Sequence, residues 1–347
     1  MLDTSVDLTE TLERLAHIER QLSEHSATID KKGTCKTVTL SSINSQESLL
    51  SPDTSRELWT LVLDVVFTPL WLRIRAADLL LVCCDTGWKS DEPVKINTEE
   101  TRKLRAVVSS TCQAMEELRA TDATQATQLF TWLGFVERVL LVTESVVWAR
   151  VLQHSMYAGM LTKMLRLLSV CSTRVFAATT VCLGLFRSHE KKCGRSVLVE
   201  NVLRDMKDGR EHLSGALLHV INSCGCPCPV EKTVHLCNAL QLFGDILADD
   251  TASVVVYLND FKVLIDLVIR ECTDLPQDDR TRLDYLLLLE RVLDSPLYLQ
   301  AQMYRKRELL KVLESLLDAG AEEDSVLPKD VMDAIKRIIF QYIDFLD

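Results

Sequence analysis

The sequence predicts an all-α protein, an armadillo/HEAT-like α-solenoid of degenerate helical repeats. Apolar residues recur with a helical period through most of its 347 residues. Only 11 glycines and 8 prolines are present, which disfavours a many-stranded sandwich or a doubly wound sheet. In the C-terminal half, paired helices recur at about 40 residues, the size of an armadillo or HEAT unit. No repeated consensus accompanies this spacing, so a compact irregular helical domain is the alternative.

The composition allows a large core and narrows the range of partners. Hydrophobic residues make up 47% of the chain and charged residues 26%, a balance that excludes global disorder. The net charge of −11 gives no overall attraction to nucleic acid or anionic lipid. We therefore expect no nucleic-acid partner.

The sequence also lacks the features of exported and membrane-embedded chains. Residues 1–7 have neither the basic start nor the apolar core of a secretory signal. The apolar run at 58–84 is interrupted by four charged residues, Asp64, Arg73, Arg75 and Asp78. We expect a cytoplasmic protein without an integral membrane segment, in which the twelve cysteines are mostly reduced and buried.

Residues 1–25 predict an amphipathic helix that stands apart from the main body. Its apolar side carries Leu8, Leu12, Leu15, Ile18 and Leu22. Residues 26–55 are rich in Ser, Thr, Lys and Asn, and they predict a polar linker. The first helix is therefore expected to be an appendage that docks loosely or binds elsewhere, and residues 56–347 are expected to form the armadillo-like helical domain.

Apolar periodicity predicts successive helices from residue 56 onward. The first bends or stops at Pro69, because proline lacks an amide hydrogen. Thr98, followed by Glu99 and Glu100, marks a helix start, where carboxylates favour the positive end of the helix dipole. The later helices are predicted over approximately residues 71–85, 98–120, 124–153, 155–170, 172–188, 196–207, 210–223, 230–249, 256–273, 279–295, 298–318 and 328–346.

The segment at residues 257–270 predicts a helix with a narrow polar stripe. At about 100° per residue, the stripe holds Asn259, Lys262, Asp266 and Arg270. Apolar residues occupy most of the remaining circumference, so we expect packing on nearly all sides. The stripe is the candidate partner-binding site. The alternative is that its three charged residues, spaced four apart, only pair with one another along the helix.

A second charged feature is the run Arg305-Lys306-Arg307 together with Lys311. It either meets an acidic protein surface or neutralises nearby carboxylates such as Glu308. The sequence leaves both interpretations open.

No sequence pattern for covalent catalysis is present. The chain lacks a Gly-x-x-x-x-Gly-Lys-Ser/Thr phosphate loop, a Gly-x-Gly-x-x-Gly dinucleotide motif, a His-Glu-x-x-His metal helix and a Gly-x-Ser-x-Gly elbow. We therefore expect neither enzyme activity nor a cofactor.

One cluster of metal-ligating residue types remains. It comprises Cys224, Cys226 and Cys228, with His219, His235 and Cys237 nearby. Tetrahedral zinc takes sulfur and nitrogen ligands from short loops, but Cys-x-Cys-x-Cys lacks the usual Cys-x-x-Cys spacing. Zinc binding is thus the weaker alternative, and we predict an inter-helix loop in which the cysteines fill small spaces.

Residues 257–299 carry three short motifs in order. These are an Asn-Asp-Phe-Lys-Val-Leu-Ile-Asp core, a Thr-Asp-Leu-Pro loop and an Arg-Leu-Asp-Tyr-Leu helix. In these motifs the sequence resembles the leucine-rich domain of the Wish/Dip/Spin family, which includes the animal Nck-interacting protein with a Src-homology-3 domain and its shorter yeast relatives. The layout is closer to the short fungal form, because a Src-homology-3 domain and a proline-rich linker are missing.

The resemblance implies an armadillo-like domain that binds the actin-related protein 2/3 complex and activates it without a preformed filament. In that family the product is a linear actin filament, which can seed branched networks at endocytic or cortical sites. The implied partners are therefore this complex and, indirectly, actin, and the implied location is the actin cytoskeleton. A helical-repeat scaffold for another protein partner is the alternative.

Overall fold

The computed structural model describes residues 11–20, 52–64, 68–82, 98–169, 172–321 and 327–346. Every regular element in these ranges is helical, which confirms the all-α prediction, while armadillo or HEAT stacking stays a prediction. The α-helices are α1 (residues 11–20), α2 (Pro52–Leu63), α3 (Leu70–Val82), α4 (Thr98–Glu117), α5 (Ala123–Val142), α6 (Ser145–Trp148), α7 (Ser155–Leu167), α8 (Thr173–Lys192), α9 (Leu213–Cys224), α10 (Thr233–Leu247), α11 (Leu258–Asp274), α12 (Thr281–Asp294), α13 (Pro296–Gln300), α14 (Lys306–Ala321) and α15 (Lys329–Leu346). A π-helical turn covers Val197–Val202, and 3₁₀ turns cover Arg210–His212, Val230–Lys232 and Ala252–Val255.

The chain forms two compact units, Met1–Lys163 and Met164–Asp347, and the boundary falls within α7. None of the helices in the described ranges combines the length and the apolar character that crossing a membrane requires.

In the first unit, α1 packs on the helical body instead of standing apart. Leu15 and Ile18 of its apolar side are buried. Glu19 accepts two hydrogen bonds from the Arg75 guanidinium of α3, at 2.6 and 2.5 Å, and this contact lowers the pKa of the Glu19 carboxyl. Helix α1, expected to be a loose appendage, is therefore docked over residues 11–20, because burial of its apolar side in the core is favourable.

The linker predicted at 26–55 is described only at its end. Helix α2 begins at Pro52, which lies inside the segment predicted as linker. Proline suits the first turn of a helix, where its missing amide hydrogen has no acceptor to lose. Residues 1–10 and 21–51 lie outside the described ranges.

An aromatic cluster joins three helices of the first unit. The ring of Phe135 on α5 lies 5.3 Å from both Trp59 on α2 and Trp132 on α5, measured between centroids. The Trp132 indole N–H donates to the Thr111 hydroxyl of α4 at 3.1 Å, so its polar atom is satisfied inside the core. These contacts hold α2, α4 and α5 together.

The second unit is a layered helical body with α10 and α12 at its centre. Helix α10 packs against α8, α9 and α12, and α11 packs against α9, α12 and α14. Helix α15 closes the C-terminal end by packing against α12 and α14. Phe243 of α10 and Phe261 of α11 are fully buried. Burying a side chain of this size contributes about 2 to 3 kcal/mol, so each of these phenylalanines adds substantially to the unit's stability.

Three predicted helices are interrupted. The segment predicted at 124–153 divides after Val142, because Thr143 and Glu144 adopt extended conformations. The segment predicted at 298–318 divides into α13 and α14, separated by residues 301–305, which we call the α13–α14 loop. The segment predicted at 196–207 forms only a π-helical turn. Helical periodicity in the sequence reports only the polarity of the side chains. It does not show where the backbone leaves the helical conformation, which depends on the rest of the fold.

The π-helical turn is held by a buried carboxylate. Glu190 of α8 is 0% exposed, and its two oxygens accept from the Leu198 amide at 3.1 and 3.2 Å. Arg187 approaches the same carboxylate at 3.4 Å, and it also binds the Arg195 carbonyl at 2.9 Å and Asp245 at 2.8 Å. A buried charge is tolerated only when it is paired and hydrogen-bonded, so this network fixes the chain after α8.

We expect Glu190→Ala to destabilise the second unit by about 3 kcal/mol, because it leaves the Leu198 amide without its buried acceptor and removes the buried carboxylate beside Arg187. Glu190→Gln keeps an acceptor and should cost about 1 to 2 kcal/mol. Urea unfolding of the full chain gives both values. The control is Glu200→Ala, an exposed glutamate in the same turn, expected within about 0.5 kcal/mol of the unchanged protein. Unchanged hydrogen exchange at Leu198 in Glu190→Ala would contradict this role.

Candidate functional site

Helix α11 presents a wider exposed face than the polar stripe predicts. Its buried side includes Phe261, Leu264 and Ile265, each 0% exposed. The opposite side adds two apolar residues to the stripe, because Val263 is 50% exposed and Leu258 is 37% exposed. The expectation of packing on nearly all sides is therefore wrong. The neighbouring helices α9, α12 and α14 cover one side of α11 and leave the other open.

Asp266 of the stripe binds the α13–α14 loop. Its carboxylate accepts from the Tyr304 hydroxyl at 3.1 Å and from Nε of Arg305 at 3.1 Å. Arg305 also donates to Glu308 at 3.0 Å, and these partners raise the pKa of Arg305. Asp266 thereby ties the loop that precedes α14 to the exposed face of α11.

Arg270 of the stripe compensates a buried carboxylate. It donates to Oε1 of Glu271 at 3.0 and 2.5 Å, and Glu271 is only 2% exposed. This contact raises the pKa of Arg270. A further bond of 3.2 Å reaches Asn222 at the end of α9. A buried carboxylate without a partner lowers the stability of the fold. Arg270 therefore has a structural role.

Pairing along the helix, the alternative interpretation of the stripe, is wrong. Asp266 bonds to Tyr304 and Arg305, and Arg270 bonds to Glu271 and Asn222. The Lys262 ammonium lies 5.6 Å from the Tyr304 ring centroid, a cation–π contact. Lys262, Asp266 and Arg270 thus contact residues outside the stripe and not one another.

Five residues at the N-terminal end of α11 lie close together, four of them exposed and Lys262 of intermediate exposure, and we call them the α11 surface. They are Tyr257, Leu258, Asn259, Lys262 and Val263. The pairs 258/262 and 259/263 are four apart, so they are neighbours on the helix. A small apolar patch with an amide and a cation beside it is typical of protein-binding surfaces. Sequence reasoning missed Tyr257, Leu258 and Val263 because it assigned apolar residues to the core.

The Thr-Asp-Leu-Pro loop after α11 is held by a buried arginine from the third motif. The Arg282 guanidinium is 2% exposed, and it donates to the carbonyls of Leu275 and of Gln277, the latter at 3.1 Å. Burial lowers the pKa of Arg282. Tyr285, three residues later, is also buried. These motif positions therefore determine the fold and are not an exposed binding site.

The cysteine-rich segment forms the α9–α10 loop. Cys224 ends α9 and is buried, which raises the pKa of its thiol to about 11. Cys226 is exposed, contrary to the expectation of buried cysteines, yet partial desolvation and the neighbouring Glu271 carboxylate raise the pKa of its thiol to about 12. Cys228 is intermediate in exposure.

The other residues considered as zinc ligands contact separate partners. Cys237 donates to Asp284 at 2.9 Å, and the His219 ring packs edge-on against Phe176, with centroids 5.9 Å apart. Within the described ranges, no group of three or more His, Cys, Asp or Glu residues is arranged to hold a metal ion.

Residues 185–309 match a family model described as SPIN90/Ldb17, leucine-rich domain. The match begins in α8, contains α9 to α13 and ends in α14, so it includes α11, the α13–α14 loop and Arg282. It confirms the resemblance to the Wish/Dip/Spin family that the motifs at 257–299 indicate. The family is associated with actin-related functions and with a protein partner in actin pathways.

We expect Arg282→Leu to destabilise the protein by about 2 to 3 kcal/mol, because it removes the donor to two carbonyls of the loop. Arg282→Lys should have an intermediate effect, since an ammonium cannot reproduce the guanidinium fork. The control is Arg280→Leu, an exposed arginine two residues earlier, expected within about 0.5 kcal/mol. Thermal and urea unfolding measure the differences. Equal stability of the Arg282 and Arg280 variants would contradict the assignment.

Proposed function

We propose that this chain, whose residues 185–309 match the SPIN90/Ldb17 leucine-rich domain, binds and activates the actin-related protein 2/3 complex without a preformed filament. The product would be a linear actin filament that seeds branched networks. The observation that carries the proposal is the family match, because it spans the helices that build and present the α11 surface. We place the chain at endocytic or cortical actin sites in the cytoplasm, where such filaments are needed.

The proposed mechanism is a shift in population and uses no covalent step. A ligand that binds the active arrangement of the complex more tightly than the inactive one increases the active fraction by that ratio of affinities. A difference of about 1.4 kcal/mol between the two states shifts the equilibrium about tenfold. The chain therefore acts as a binding protein in this proposal and not as an enzyme. The absence of catalytic sequence patterns agrees with it.

The α11 surface is the proposed contact with the complex. Its exposed tyrosine and aliphatic side chains supply the apolar centre of an interface, and Asn259 and Lys262 supply polar contacts at its edge. The helix below it is anchored, because Asp260 accepts from the Ser214 hydroxyl of α9 at 2.5 Å and Asp266 holds the α13–α14 loop. An anchored surface loses little conformational entropy on binding.

We also propose that the helices of the second unit stack as degenerate armadillo-like repeats. Helix α10 packs against both α8 and α9, and α12 packs against α10 and α11, so each new helix adds to the previous pair. Such an arrangement leaves one face of successive helices available to a partner.

The activation proposal is tested with fluorescently labelled actin and the purified complex. We expect the full chain to shorten the lag of polymerisation in the absence of other activators and of preformed filaments, and single-filament imaging to show unbranched filaments. The matched control omits the complex. If the chain leaves the lag unchanged at every concentration, activation is excluded. Capture of a different assembly in a pull-down that lacks the complex would then favour the scaffold alternative.

Exposed residues of the α11 surface should affect activation without affecting stability. We expect Lys262→Glu and Val263→Glu to raise the concentration needed for half-maximal activation at least about tenfold. Their melting temperatures should stay within about 2 °C, because surface substitutions rarely cost more than about 0.5 kcal/mol. The control for Lys262→Glu is Lys336→Glu on α15, and the control for Val263→Glu is Leu287→Glu on α12. Lys336 and Leu287 are an exposed lysine and an exposed aliphatic residue outside the α11 surface.

Arg270→Glu serves as the contrasting variant. It places a second carboxylate against buried Glu271, so we expect a loss of about 3 kcal/mol of stability. Full activation by both Lys262→Glu and Val263→Glu would rule out the α11 surface as the contact, while leaving the activation proposal itself to the polymerisation assay.

A further inference from the structure

Five cations gather where α11, the α13–α14 loop and α14 meet, in a chain whose net charge is −11. We call this group the basic cluster, and it consists of Lys262, Arg305, Lys306, Arg307 and Lys311. Lys262 and Arg305 both lie against the Tyr304 ring, at 5.6 and 5.4 Å from its centroid. This shared aromatic contact joins the cation on α11 to the run that enters α14, so the cluster borders the α11 surface.

Most of the cluster has no carboxylate partner. Arg305 pairs with Asp266 and Glu308, at 3.1 and 3.0 Å. The side chains of Lys306, Arg307 and Lys311 form no hydrogen bond or ion pair with any residue that the structure describes. Arg307 and Lys311 are exposed and four residues apart, so they project from the same side of α14. Neutralisation of Glu308, one of the two interpretations of this run, is therefore performed mainly by Arg305 with a contribution from Lys311, and it does not account for Lys306 and Arg307.

Two of these cations lie where a positive charge destabilises the start of α14. Lys306 and Arg307 occupy the first turn of α14, where the helix dipole disfavours positive charge. The preceding loop also contains three non-glycine residues in the left-handed region, Gln302, Met303 and Arg305, with φ of 57°, 51° and 58°. Sequences that break local rules in this way do so most often where a functional site requires it.

We infer that the basic cluster binds an acidic protein surface on the partner of the α11 surface, and that it accelerates encounter by electrostatic attraction. The inference rests on the proposed function, because it assigns the charge of the contact region on the actin-related protein 2/3 complex. A protein partner fits better than a polyanion, because the basic cluster borders exposed apolar side chains of the α11 surface, which a protein interface covers and a phosphate backbone or lipid headgroup does not. An apolar patch with a charged edge is the arrangement of a protein interface.

The test measures association and dissociation of the full chain with the purified complex in stopped-flow or surface-binding experiments, at about 50 and about 200 mM salt. We expect Arg307→Glu combined with Lys311→Glu to lower the association rate constant about tenfold at the lower salt and to change the dissociation rate less than about twofold. The unchanged chain should associate more slowly at the higher salt, and the double variant should lose this dependence. The melting temperature should stay equal or rise, because acidic residues suit the start of a helix.

The matched control is Lys336→Glu, an exposed lysine of α15 with the same change of charge, which should associate as fast as the unchanged chain. If the unchanged chain binds the complex and the double variant binds with the same rates and salt dependence, the inference is wrong and the proposed function stands. If the unchanged chain does not bind the complex at all, both are wrong. Binding to phosphatidylserine vesicles or duplex DNA that the double variant loses, with binding to the complex unaffected, would assign the cluster to a polyanion and also overturn the inference.

Discussion

The second unit depends on one constraint, that a charged group taken out of water needs at least one hydrogen-bond or ion-pair partner. Glu190, Glu271 and Arg282 are each at most 2% exposed, and each lies at or near the end of a helix. Their partners are the Leu198 amide, the Arg270 guanidinium, and the Leu275 and Gln277 carbonyls. Because an unpaired buried charge costs several kcal/mol, the Glu190 contact fixes the chain after α8 and the Arg282 contacts fix the loop after α11. The Arg270–Glu271 pair lies within α11, and the bond from Arg270 to Asn222 links it to α9.

The same need to pair charged groups divides the residues of α11 into those that hold internal contacts and those that remain available to a partner. Arg270 is committed to Glu271, and Asp266 is committed to the α13–α14 loop, so neither side chain is free to meet a partner without loss of an internal contact. Asn259, Lys262 and the exposed apolar residues beside them have no comparable commitment. The boundary between the two groups lies near the middle of the helix. The exposed residues near the start of α11 therefore remain available to a partner, while Asp266 and Arg270 hold internal contacts.

Asp266 connects the two surfaces proposed for recognition. It holds Tyr304 and Arg305, and the Tyr304 ring in turn positions the Lys262 ammonium beside the start of α14. The left-handed residues of the α13–α14 loop keep this conformation only because such contacts over-determine it. The apolar α11 surface and the basic cluster are therefore joined through Tyr304.

The sequence alone determined the all-α class, most helix positions and the family resemblance, because helical periodicity and short motifs are properties of neighbouring residues. It also identified the stripe of Asn259, Lys262, Asp266 and Arg270 as unusual. Only the tertiary structure decided what each stripe residue contacts, since folding brings Tyr304 and Arg305 to α11 and buries the Glu271 carboxylate beside Arg270. It likewise decided that Val263 and Leu258 are exposed and that the helix predicted at 298–318 is broken. Exposure and satisfaction of charge depend on which segments pack nearby, and local sequence patterns do not contain that information.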